Sequence, residues 1–409
     1  MTESLYPIFP ENFKFGVSTS AFQIEGAWNT DGRGESIWDR FSRKPGNIRF
    51  GHNADTACDH YHRYEEDIAL LKKMGIRSYR FSISWPRIFP EGTGTINQKG
   101  IDFYDRLVDC LVNAGITPFV TLFHWDLPQR LQEDIGGFRD RDCSRYFAEY
   151  AALTAEKLGD RVKNWITINE PWIYAVPGEL TGMHPPGNRN PWAALQTIHN
   201  LLLAHGRACR AIKGARADAK TGISLNLMPI YPRSSSARDV KAAETADQFY
   251  NRIKLDPLFR GEYPQPLWHK LRFISPYAEE GDMEIINQPL DFLGINTYTR
   301  QWAYHKWSVP MVHFWMTGTK VAFSEYVKDG SQYTSMGWQV YPDGIYETLI
   351  RIRDEYGNPP VYITENGAAY EETLKNGKVQ DKKRISYLQQ YTEKVREAVE
   401  HGSDTKGYF

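Results

Sequence analysis

Two short stretches end an apolar run on a carboxylate beside an amide. "KNWITINEP" (163–171) passes through Trp165, Ile166, Thr167 and Ile168 and stops on Asn169, Glu170 and Pro171. "PPVYITENG" (359–367) passes through Val361, Tyr362 and Ile363 into Thr364, Glu365, Asn366 and Gly367. Runs this rich in β-branched and aromatic residues read as buried strands. A lone glutamate at such a strand end is ordinarily a solvated surface residue. Two carboxylic acids flanking one bond are also the equipment of glycoside hydrolysis. One must be protonated to give a proton to the leaving oxygen, and the other ionised to attack carbon or activate water. Their surroundings must therefore push the two pKa values apart. Glu170, beside Pro171 and Trp172, has the more apolar neighbours and suits the acid. Arg80 and the hydroxyl of Tyr298 are candidates to keep Glu365 ionised. Spacing alone leaves the solvated and the catalytic readings both open.

Catalysis needs both glutamates at one place, which depends on the elements that carry them. Strands are expected at 13–26, 78–85, 117–125, 162–170, 222–230, 291–299 and 361–367. Helical patterns fall between them at 60–75, 99–115, 145–159, 190–215, 243–254, 344–357 and 385–402. Strands alternating with longer amphipathic segments imply parallel pairing with crossover helices. Seven such units without a linker argue for a closed (β/α)8 TIM barrel over two open sheets, with the site at the C-terminal ends of the strands. Those ends carry Gln23 and Glu25, Arg80 and Trp85, His124 and Trp125, Asn169 and Glu170, Asn296 and Tyr298, and Glu365. They are expected to converge on one mouth. No fixed-period repeat or low-complexity segment interrupts the pattern.

The 409 residues are 41% apolar and 24% charged, with a formal charge of −1, which gives no pull toward nucleic acid or an anionic membrane. Aromatic residues reach 14%. Barrel packing and a site that stacks rings on sugar faces explain that equally well. No window approaches the roughly 20 apolar residues of a membrane span. The start, "MTESLYPIFPENF", lacks the basic and apolar regions of a signal peptide. Four scattered cysteines without CxxC spacing suit reduced thiols and a cytoplasmic location.

"FKFGVSTSAFQIEGAW", "YRFSISWPRIFP", "TLFHWDLP", "WITINEP", "LGINTYT" and "YITENG" together resemble the successive signatures of glycoside hydrolase family 1, the β-glucosidase family. The resemblance is collinear from about residue 7 to residue 409. It implies a (β/α)8 barrel and a retaining double displacement, with Glu170 as acid/base and Glu365 as nucleophile. It further implies that Gln23, His124, Trp125 and Asn169 hold hydroxyls of the glycone, Asn169 serving the 2-hydroxyl. Asn296 and Tyr298, with Arg80 beside them, would set the nucleophile. Trp338, in "MGWQVYPDGIY", would stack on the leaving group. The expected substrate is a small β-glucoside or cello-oligosaccharide, with no cofactor, no metal, no nucleic acid and no membrane. A homo-oligomer is compatible with the sequence.

The chain ends at "GSDTKGYF". In the family a motif of this kind opens strand eight, and the acidic residue and tryptophan that follow it grip the 4- and 6-hydroxyls of the sugar. The expectation is therefore one domain over 1–409, incomplete at its C-terminal end. It would lack most of strand eight and the last helix, with open edges on the first and seventh strands. Two alternatives stand beside a β-glucosidase. One is a 6-phospho-β-glucosidase of the same family, against which "AFQIEG" and Trp125 weigh. The other is a non-catalytic sugar-binding or inactive form, against which retention of both glutamates weighs.

The remaining histidines have plainer readings. His60 and His62 lie two apart on a helix and point to different faces. His199 and His205 read as core packing, and His184 as a loop-shaping residue. "DGRGES" lacks the GK[ST] of a phosphate loop.

Overall fold

The computed structural model of the protein describes residues 9–274, 276–318 and 332–409. Eight parallel strands close into a barrel: β1 (Lys14–Ser18), β2 (Ser78–Ser82), β3 (Thr117–Phe123), β4 (Asn164–Asn169), β5 (Lys220–Asn226), β6 (Phe292–Asn296), β7 (Val361–Glu365) and β8 (Thr405–Tyr408). Crossover helices wrap it: α1 (His60–Lys73), α2 (Gln98–Asn113), α3 (Cys143–Leu158), α4 (Pro191–Ala215), α5 (Ile253–Arg260), α6 (Asp343–Glu355) and α7 (Lys382–Glu400). Strands β2 and β4 are buried at every residue, as expected of strands covered by helices on one face and by the barrel interior on the other.

The expected open edges do not occur. Strand β8 has four residues, against five in β1 and in β7. It pairs on one side with β1 (Lys14↔Gly407, Phe15↔Tyr408) and on the other with β7 (Tyr362↔Gly407, Ile363↔Tyr408). Four residues suffice because both neighbours are themselves short, and "TKGY" pairs with each of them. The backbone N–H of Phe409 adds a bond to the carbonyl of Ile363 at 2.8 Å.

Rings from non-adjacent strands fill the barrel floor. Phe119 of β3 packs against Phe292, Tyr362 and Phe409 with centroids 6.3, 5.2 and 4.8 Å away. Gly16 is required beside that layer, because a Cβ there would sit 2.5 Å from the Phe409 ring. Above the rings the interior turns polar, with Arg80, Thr121, Ser224, Thr364 and Asn296 all buried.

The structure differs from the sequence reading mainly where strands leave the barrel. The first expected strand stops at Ser18, and Ala21–Ile24 form a helical turn. The fifth, expected to run to 230, stops at Asn226. Ile230–Pro232 instead joins a separate sheet with Gln301–His305 and Phe314–Thr317. The helix expected at 243–254 is three pieces, Ala237–Asp247, a π turn at Gln248–Arg252, and α5.

Candidate functional site

Glu170 follows β4 directly, and Pro171 opens the short helix Pro171–Ala175 at once. Helical turns tolerate proline at that first position. The turn forces Glu170 into a left-handed backbone (φ 47°), held by its own N–H on the carbonyl of Ser224 at 2.7 Å. Trp125 is also left-handed (φ 79°), and its Nε1 donates to the carbonyl of Asn169 at 2.9 Å. Such conformations persist where surrounding contacts over-determine them.

Glu365 ends β7 and pairs with Asn296 of β6 just past a register shift between Ile363 and Glu365. Arg80, at 0% exposure, reaches across from β2 and donates through Nη1 to Oε1 of Glu365 at 2.5 Å. The Tyr298 hydroxyl donates to Oε2 of Glu365 at 2.6 Å. Burial opposes ionisation of Glu365, but the Arg80 charge and the bonds from Tyr298 and Arg80 overcome it and hold the carboxyl below its ordinary range. Glu170 moves the other way. Burial raises it, and the Glu365 charge raises it further, against the pull of Asn296, Lys254 and Arg80. Two carboxyls at one mouth are thus separated into an ionised and a protonated member.

Asn169 and Asn296 tie the pair together. Asn296 Nδ2 donates to Oε1 of Glu170 at 2.7 Å and to Oδ1 of Asn169 at 3.0 Å. Arg80 Nη2 donates to the same Asn169 oxygen at 2.6 Å. With that oxygen committed, Asn169 turns its amide nitrogen to Nε2 of His124, 3.2 Å away. Burial pushes His124 down to about 4, so its ring is neutral. Nε2 then accepts, Nδ1 carries the proton, and Nδ1 has no partner among the described residues.

Gln23, His124, Trp125, Glu170, Tyr298, Trp338 and Glu365 line one cavity of about 810 Å³. Asn169, Asn296 and Arg80 lie beneath it, through the bonds above. Trp338 is 36% exposed, with its ring centroid 5.3 Å from that of Tyr298. The expected site residues are therefore brought together, with one adjustment. Asn296 was expected beside the nucleophile, but its amide bonds Glu170.

Two other strand-end residues are not at the mouth. Glu25 is buried against Arg87 (2.9 Å) and the hydroxyl of Tyr104 (2.6 Å). Trp85 has 0% exposure and stacks on Tyr150 at 5.2 Å. Both lie past the point where their strands turn into helix, so the strand alternation that placed them does not apply. His184 lines the cavity, 5.8 Å from the Trp125 ring, rather than only shaping a loop. His199 and His205 are buried, bonded to Asp282 and Thr167.

Sequence reasoning missed Lys254. Its buried Nζ donates to the carbonyl of Asn226 at 2.5 Å and to Oδ1 of Asn226 at 2.9 Å, and burial pulls its pKa well below the ordinary lysine value against the opposing charge of Glu170. A lysine in "QFYNRIK" carries no signal that sets it apart from a solvated one. Among the described residues no group of three or more His, Cys, Asp or Glu is placed to hold a metal, and no helix is long and apolar enough to cross a membrane.

The chain matches the family model described as "Glycosyl hydrolase family 1" over residues 5–409. It is 46% identical over 404 residues to Beta-glucosidase A of Acetivibrio thermocellus, covering 98% of this chain and 88% of that one. To Beta-glucosidase A of Thermotoga maritima it is 45% identical over 403 residues, with the same coverage. The solved family 1 β-glucosidase of Thermotoga maritima superposes with a TM-score of 0.93 at 43% identity, covering 99% of this chain and 89% of that one. A structure of the family 1 glycoside hydrolase from that organism, complexed with a cyclophellitol-analogue transition-state mimic, also superposes at 0.93. A parallel eight-stranded barrel with paired carboxylates at its mouth defines the class, and the matches define the family. The chain belongs to glycosyl hydrolase family 1.

Proposed function

We propose that the chain is a retaining β-glucosidase that removes terminal, non-reducing β-D-glucosyl residues by double displacement, with Glu365 as nucleophile and Glu170 as acid/base. The observation that carries the reading is the placement of two carboxyls on one cavity, Glu365 bonded to the Arg80 guanidinium and the Tyr298 hydroxyl and Glu170 buried against the Asn296 amide. An ionised Glu365 oxygen attacks the anomeric carbon as its bond to the leaving oxygen breaks. Glu170 gives its proton to that oxygen. Glu170, now ionised, takes a proton from water as the water oxygen attacks the anomeric carbon and the ester to Glu365 breaks. Both groups end as they began.

Asn169, its oxygen already committed, offers N–H to the 2-hydroxyl, and His124 offers Nδ1–H to a neighbouring hydroxyl. Gln23 and Trp125 complete the glycone side. Arg80 and Tyr298 hold Glu365 in the attacking form, and Asn296 orients both Asn169 and Glu170. Trp338, partly exposed at the rim, gives the leaving group of an aryl glucoside or cello-oligosaccharide a face to stack on. Four unpaired cysteines favour a cytoplasmic location.

Hydrolysis of p-nitrophenyl β-D-glucoside by the 409-residue chain tests the reading. Turnover that vanishes in Glu365→Gly supports it. A folded chain that turns over neither this substrate nor cellobiose contradicts it.

A further inference from the structure

The strand that closes the barrel carries a hydroxyl that the proposed reaction does not use. Tyr408 of β8 is 7% exposed, and its hydroxyl donates to Oδ1 of Asn366 at 2.6 Å. Asn366 directly follows Glu365. Its Nδ2 donates to the carbonyl of Thr297 at 2.6 Å and to the Tyr387 hydroxyl at 3.1 Å. The Tyr387 hydroxyl donates in turn to the carbonyl of Tyr298 at 3.3 Å, and Tyr391 donates to that same carbonyl at 2.9 Å. Tyr387 and Tyr391 lie one turn apart on α7, stacked at 4.0 Å. The Thr297 N–H completes the ring of contacts on the carbonyl of Glu365 at 3.1 Å.

Three elements thus grip the two residues after β6. β8 acts through Tyr408, β7 through Asn366, and α7 through its tyrosine pair. Both N–H groups of Asn366 and its oxygen are engaged, which fixes the amide in one orientation. Burial raises the titration of all three phenols, so they remain donors. The output of this clamp is the Tyr298 hydroxyl, 2.6 Å from Oε2 of Glu365. Packing alone does not need the Tyr408 hydroxyl, because phenylalanine fills the same space.

We propose that Tyr408 is a positioning residue for Glu365, fixing the Tyr298 hydroxyl on that carboxylate through Asn366 and the Thr297–Tyr298 backbone. The closing strand is then part of the nucleophile's support as well as a seal on the barrel. The kinetic part of this inference rests on Glu365 being the nucleophile; the hydrogen-bond part does not.

The test uses the full chain with Tyr408→Phe, Tyr298→Phe and the double variant. The carboxyl carbon of Glu365 is titrated by 13C NMR, its signal assigned by its absence in Glu365→Gln. A lost hydrogen bond to the ionised form raises the pKa. Tyr408→Phe is expected to raise it by about half a unit and Tyr298→Phe by about one unit. The double variant should match Tyr298→Phe alone, because Tyr408 acts through Tyr298. Tyr387→Phe, which cuts the same link from α7, should move the titration in the same direction. In kinetics, the acid limb of kcat/KM should shift upward with Tyr408→Phe and the rate should fall about fivefold. An unmoved Glu365 titration in Tyr408→Phe overturns the proposal whether or not the melting temperature drops, and so does a shift that adds to that of Tyr298→Phe. Full turnover by Glu365→Gln would instead refute the nucleophile assignment and leave the NMR result standing.

Discussion

The Arg80 guanidinium, with no exposed surface, is shared between Oε1 of Glu365 at 2.5 Å and Oδ1 of Asn169 at 2.6 Å. One cation thus favours the ionised form of the candidate nucleophile and turns the neighbouring amide so that its N–H faces Nε2 of His124. The Glu365 carboxylate is the counter-ion that makes a fully buried guanidinium tolerable.

Arg80→Met should therefore damage more than one bond. Breaking a buried ion pair costs about 3–5 kcal/mol. Without the cation, burial dominates the Glu365 titration and raises it. The acid limb of kcat/KM should move up by more than about one pH unit, with at least about 100-fold loss at its optimum. A pH–rate profile of the variant checks both. An unshifted acid limb would show that Tyr298 alone sets the ionisation.

The proposed double displacement requires Glu365 ionised and Glu170 protonated. Glu365 lies below the ordinary glutamate value and Glu170 above it. Activity should rise as pH climbs through the lowered value and fall as it passes the raised one, giving a bell. Glu170→Gln should remove the alkaline limb and leave the acid limb in place. An alkaline limb that survives the substitution would assign it to another group.

Glu170→Ala should also separate substrates by leaving group. Cellobiose needs a proton at its departing oxygen, whereas p-nitrophenolate leaves without one. Loss of at least about 100-fold on cellobiose and far less on activated aryl glucosides is expected in glycosylation rates. Equal losses in single-turnover measurements would contradict the acid role.

Asp126, in "FHWDLP", gives a prediction about stability. It is 1% exposed, and burial pushes it up to about 7 against the pull of Ser84 and Arg33. A carboxyl raised in the folded state binds its proton more tightly there than when unfolded. Its contribution is fully present below the unfolded value near 3.8 and is lost as pH rises through about 7. The slope is about 1.4 kcal/mol per pH unit inside that window. Asp126→Asn should gain stability relative to the parent between about pH 4 and pH 7 and hold a constant difference above. Denaturant unfolding at stepped pH measures this, and a pH-independent difference would mean that Asp126 is ionised throughout.

Much of this site was legible in the sequence because strand ends announce themselves. "TINEP" and "TENG" stop apolar runs on polar pairs, and a parallel barrel brings such ends to one mouth. Legibility failed where backbone turns override alternation. Glu25 and Trp85 sit on helical turns beyond their strands and face the core. Open edges were expected because the chain ends at the motif that opens strand eight, but β1 and β7 are only five residues long and the four residues of β8 pair with both. Lys254 and the Tyr408–Asn366–Tyr387 network had no local signal. Their partners come from separate elements, and only closure of the barrel sets them side by side. Asn296 ends β6, but which glutamate its amide bonds depends on side-chain direction that no spacing encodes.

The central claim, double displacement through Glu365, is tested most directly by the anomer first released. Proton NMR during early hydrolysis of p-nitrophenyl β-D-glucoside should show β-glucose accumulating first, with α-glucose following only by mutarotation. Initial release of α-glucose would mean that water attacks directly, and would contradict Glu365 as nucleophile.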